Sequence, residues 1–224
     1  MQGFDIEQFR LEPGAHPDSP EGCLMEWVAL MSGLPKTDRP RCINQLVTSV
    51  AIHLNDTLDD ASRQRLKGFI PLLLRARRGP AEARIDIRLA IWAAASIADG
   101  APAQFRLLHD RALRVAAGRL DGLVSEAECR GLASAAAEAG AKVRSIALYV
   151  VADAAHAACA DDPSGAAANA VAGALDRVLG HGDPLDWFAG LLHAHAAARA
   201  AEIGAPAQNE NDPDRDKERV CSAV

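Results

Sequence analysis

Apolar residues recur along most of this chain at the spacing of three and four that lines one face of a helix. Leu24, Trp27, Val28 and Met31 form the first stripe. Ser19 followed by Pro20 predicts its start, because Ser caps free amides and Pro suits the first helical position. Gly33, with Leu34 and Pro35 behind it, predicts its end in a left-handed turn. The clearest stripe follows: Ile43, Leu46, Val47, Val50, Ala51 and Leu54, preceded by Asp38 and Pro40. Thr57 with Asp60 resembles a capping box and opens a third helix towards Gly68, which Pro71 should kink or break. Gly79-Pro80 opens a helix through Ile85, Leu89, Trp92 and Ala93, and Ala101-Pro102 opens another through Phe105, Leu108, Leu113 and Val115.

Beyond Ser125 the apolar positions become small. Alanine fills 26 of the 69 positions from 133 to 201, so helices there can approach closely and shape replaces bulky anchors. Helices are expected at 125–139, 141–160, 164–179 and 184–202, divided at Gly140, at Asp161-Asp162-Pro163 and at 180–184. No hairpin signal and no pair of alternating segments point to a sheet. The expected fold is all-α, a bundle of about eight to nine helices. Its parts are an extended arm over 1–19, a helical subdomain over 20–120, an Ala-rich subdomain over 121–203 and a charged tail over 204–224.

Composition adds limits. With 224 residues, 49% hydrophobic and only 4% aromatic, the chain can bury a core, but one of aliphatic residues rather than the aromatic-rich strands of a β-sandwich. The start of the chain lacks the basic and apolar regions of a secretory signal, and no stretch of 18 residues is uniformly apolar. Five cysteines without a CxxC pair make no disulfide framework. A soluble, cytoplasmic protein with no membrane association is expected. The net charge of −6 argues against generic nucleic-acid binding. It is unevenly spread: residues 60–119 carry twelve basic and five acidic side chains. Arg63, Arg65, Lys67, Arg75, Arg77, Arg78, Arg84 and Arg88 are the dense part, either solvated helix faces or a surface for an acidic partner.

Four residues of the first two helices could supply chemistry together. Cys23, Glu26, Cys42 and His53 offer thiol, carboxylate and imidazole, the raw material of a nucleophile with its base or of a Cys/Cys/His zinc site. Buried thiols also pack as small hydrophobes, and that is the commoner use. Thr37-Asp38 and Asn55-Asp56 lie where helix ends need caps. His156 and Cys159 are three apart on one helix, whereas His193 and His195 point to different faces. Asp153 with His156 suits a polar contact in a small-residue core. No phosphate-binding loop, nucleophile elbow, kinase signature or metalloprotease motif occurs. Cys221 stands four from the end without the residues of a prenylation box.

The segment Cys23-Leu24-Met25-Glu26-Trp27, then Asp38-Arg39-Pro40-Arg41-Cys42 and Asn55-Asp56, resembles a family of actinobacterial and phage proteins over about residues 20–75. The resemblance implies an α-helical bacterial or phage protein and transfers no chemical role to any position. The expected function is a non-enzymatic helical protein-interaction module, in a phage–host conflict or regulatory setting, needing no cofactor. Its partner would be an acidic protein surface, or a second copy of the chain. The alternatives are a metal protein or enzyme built on Cys23, Glu26, Cys42 and His53, and polyanion or nucleic-acid binding along the basic stretch from 63 to 88.

Overall fold

The computed structural model describes residues 8–16 and 18–204. These residues are all-α, and the strand-like pairing among them is limited to two isolated bridges, Leu11 with Gly22 and Ile43 with Arg77. The chain divides into two compact units between Pro80 and Ala81, not near residues 120–124. The reason lies in two helices assigned to the first subdomain, Glu82–Ser96 (α5) and Arg106–Leu120 (α6). Their apolar faces are spent on the Ala-rich helices that follow.

In the first unit, α1 (Leu24–Met31) and α2 (Gln45–Thr57) pack together through Leu24, Met25 and Val28 and through Val47, Val50 and Leu54. Gly33 closes α1 with φ 73°, and the Leu34 amide returns to Ala29 O, as the left-handed turn requires. The start of α1 differs from expectation. It begins four residues past Pro20, because Cys23 and Glu26 form a capping box with cysteine in the usual Ser position. Likewise Asn44 caps α2 through Val47 N (2.9 Å), and Asp59 rather than Thr57 caps α3 (Asp60–Arg65) through Ser62 N (2.9 Å). Pro71 does not break the chain but sits in the first turn of the short α4 (Ile70–Leu73), beyond a 3-10 turn over Leu66–Phe69.

In the second unit, α5 and α8 (Ile146–Ala157) are central. Helix α8 is apolar almost all round, with Leu148, Val150, Val151, Ala154 and Ala155 buried between α7 (Glu126–Val143) and α9 (Pro163–His181). Gly140 does not end α7. It lets α8 approach, since a Cβ there would lie 3.3 Å from Leu148 Cβ, and the helix continues to Arg144 at φ 54°. Helix α10 (Pro184–Gly204) lays Leu185, Phe188, Leu191, Leu192 and His195 into the core, and α10 packs against α5. Trp92 of α5 meets Trp187 of α10 at 5.3 Å between ring centroids, and the Trp187 indole donates to Ser96 Oγ (2.9 Å). Among the described residues no helix is long and apolar enough to cross a membrane. The expected charged tail lies outside the described residues, apart from Gly204 as the last residue of α10.

Candidate functional site

Of the polar residues singled out in the first unit, Glu26, Asn55 and Asp56 meet the N-terminal arm. Both oxygens of the buried Glu26 carboxylate are occupied: Oε1 accepts from His16 N (2.7 Å) and Oε2 from Cys23 N (2.8 Å). The fully buried Asn55 accepts from Leu24 N (3.1 Å) and donates to Glu12 O (2.8 Å). Asp56 accepts from Gly14 N (2.7 Å). These partners are backbone groups of residues 12–16 and of the start of α1, which have no sheet or helix of their own to satisfy them. Glu26, Asn55 and Asp56 therefore fasten the arm to α1 and α2.

Residues that sequence reasoning missed complete the fastening. Gln64 of α3 donates to Leu11 O (2.8 Å) and accepts from Leu11 N (3.0 Å), so one side-chain amide satisfies both backbone groups of a buried residue. Lys36 Nζ gathers the carbonyls of His16 (2.5 Å), Ser19 (2.6 Å) and Glu21. Phe9 stacks on Trp27 at 4.1 Å, with Lys67 Nζ 5.3 Å from the Phe9 ring. The signal available in the sequence was Glu three residues after Cys23; the distant partners left none.

Burial pushes the Cys23 thiol up to about 12, so the thiolate that a nucleophile or metal ligand needs is scarce there. Cys42 is buried and lends its carbonyl to Arg78 N (2.9 Å), while His53 is exposed. Among the described residues no group of three His, Cys, Asp or Glu side chains is placed to hold a metal ion. The structure thus does not assemble Cys23, Cys42 and His53 into a metal centre.

The basic stretch separates into two sets. Arg63 is buried, with Nε on Asn55 O (2.6 Å) and a terminal nitrogen on Leu58 O (2.7 Å), so it closes the C-terminal end of α2. Arg84 and Arg88 of α5 grip Glu202 of α10 at 2.8 and 2.9 Å, and Arg84 also donates to Leu120 O (3.0 Å). Burial alone would raise the Glu202 carboxyl, but hydrogen bonds from Arg88 and Arg84 outweigh it and hold the group below its usual range. Arg65, Arg75 and Arg78 are exposed, and Lys67 and Arg77 are half-buried, Arg77 donating to Leu74 O (3.0 Å).

In the second unit an open cleft of about 620 Å³ lies beside the turn between α8 and α9, lined by Arg130, His156, Cys159, Asp161, Asp162 and Asn169 among others. Cys159 is a buried member of this lining, and His156 is exposed. Burial raises the Asp153 carboxyl, an effect partly offset by His156. His193 faces outward and His195 inward, as their spacing of two implies. Sequence reasoning also missed His109, fully buried in α6, and Asp86, a buried α5 carboxylate that accepts from Ser164 Oγ (2.7 Å). Neither residue stands in a recognisable motif, so nothing local announced them. Comparison with protein-family models, curated proteins and solved structures finds no match to this chain.

Proposed function

We propose that this chain is a non-enzymatic helical interaction module that receives an acidic protein partner on its first unit. The observation that carries the proposal is the division of polar labour in that unit. The buried side chains that could have done chemistry, Glu26, Asn55 and Arg63, are spent on backbone groups. Residues 61–80 hold six basic and no acidic side chains, one of them the buried Arg63, and Arg65, Arg75 and Arg78 among the others are exposed. Such a surface steers a negatively charged partner and speeds encounter more than it deepens affinity. The resemblance of residues 20–75 to actinobacterial and phage proteins belongs to the same proposal and sets the cells in which to look for the partner.

The test uses the full chain as bait, wild type beside a variant carrying R65E, R75E and R78E. Wild type is expected to retain an acidic protein at low salt and to release it as ionic strength rises, because exposed charges are screened within about 10 Å at 0.1 M salt. The triple variant is expected to lose that protein at every salt concentration. Equal retention by both chains overturns the role of the basic surface, and a salt-dependent DNA mobility shift of wild type alone would replace the protein partner with a polyanion.

A further inference from the structure

Two cysteines in the second unit share a single acceptor. Cys129 Sγ of α7 lies 3.1 Å from Ala155 O, and Cys159 Sγ, just past the end of α8, lies 3.5 Å from the same oxygen. Ala155 O belongs to the last turn of α8, where carbonyls lose their helical donors. The Cys159 amide goes to His156 O instead (2.9 Å), so the thiols serve as donors to this helix end. Both side chains belong to one apolar cluster with Val115, Ala116 and Leu132. They differ in access, since Cys129 is fully enclosed whereas Cys159 is among the residues that line the open cleft. Arg130, His156, Asp161 and Asp162 line the same cleft and make it polar, with charges of both signs.

We propose that Cys129 and Cys159 form a dithiol redox site, oxidised to an intramolecular disulfide by a small polar disulfide that enters this cleft. Cys159 gives up its proton to solvent and its sulfur attacks one sulfur of the visitor, whose other half leaves as a thiolate. Cys129 then loses its proton, attacks the Cys159 sulfur and expels the second half. Two protein thiols are oxidised, one disulfide is reduced to two thiols, and the two protons released balance the two thiolates formed. Cys159 lines the cleft while Cys129 is fully enclosed, which assigns the first attack to Cys159. Burial and the neighbouring Cys159 push the Cys129 thiol up to about 12, so its thiolate is scarce and the second step is the slow one. The product covalently joins α7 to the end of α8 and removes both donors from Ala155 O.

Oxidised glutathione is the probe, applied to the folded full chain in a C221S background, followed by acid quench, alkylation after unfolding, and peptide mass mapping. Expected is the joint loss of Cys129 and Cys159 as alkylation sites, with one cross-linked peptide two hydrogens lighter than its parts, restored by dithiothreitol. Cys23 and Cys42 remain alkylatable. A lasting glutathione adduct on Cys159 with Cys129 still free overturns the proposal, as does failure of both to react. In a C129A variant the adduct is expected to accumulate on Cys159, and an unmodified Cys159 there overturns its role as the entry thiol. The mapping with Cys129 intact stands by itself should that variant not fold.

Discussion

Glu26 and Asn55 show what a buried polar residue is for when it touches no ligand. Each satisfies backbone groups of a segment that forms no regular structure, and each does so without a water between. Removing such a residue does more than delete a bond of about 1 kcal/mol, because the groups left behind stay buried and unpaired. Asn55→Ala orphans Leu24 N and Glu12 O at once. It is expected to lower stability by about 2–4 kcal/mol, read as a fall in the urea midpoint. Trp27 fluorescence should report an early loss of the Phe9 stack in that variant. His53→Ala, at an exposed position of the same helix, is expected to stay within about 0.5 kcal/mol of wild type.

At the scale of elements, the second unit is held by close approach rather than by large side chains. Gly190 of α10 sits where a Cβ would come within 2.7 Å of the Trp92 ring, a rigid neighbour that cannot swing away as a flexible chain end could. Gly190→Ala is therefore expected to destabilise by about 1–3 kcal/mol despite the better helix propensity of alanine. Adding Trp92→Leu should recover part of that loss in a double-mutant cycle, because space rather than backbone freedom is at issue. The helices themselves were legible from their apolar stripes, and α7 to α10 fall close to their expected ranges. Their ends were less so. Ser19-Pro20 is a sound local start signal, yet those residues lie in a turn, with the Ser19 amide on His16 O and the Ser19 carbonyl on Lys36, and the Cys23–Glu26 box takes over the capping. Gly140 looked like a terminator because its packing role depends on α8, which comes later in the chain. Of the candidate site, the residues were found but their job was not. The partners of Asn55 and Gln64 lie tens of positions away, and no local pattern joins them.

For the molecule as a whole, ionisation makes the second unit sensitive to acid. Burial, and next the charge of Arg199, push His195 down to about 4 from an ordinary value near 6.5. The folded form therefore holds this ring neutral while the unfolded chain takes up a proton between those values. Its contribution is complete above pH 6.5 and disappears as pH falls towards 4, a change on the order of 3 kcal/mol. Glu202, held below its usual range, adds stability that is lost at still lower pH. Asp153 works in the opposite sense, since its raised carboxyl favours the folded form in acid. Denaturation midpoints followed by far-UV circular dichroism should fall from pH 7 to pH 4.5, and His195→Leu should flatten most of that slope.

The amide of Gln64 also bears on where the chain can be cut. One side chain takes the place of a neighbouring strand for Leu11, while Gly22 faces the residue across the isolated bridge. The packing of the first unit thus includes Phe9 and Leu11, well ahead of its first helix, and a version trimmed to start at α1 would bare the Trp27 ring and remove the bonds of Glu26, Asn55, Asp56 and Gln64 to residues 11–16 together.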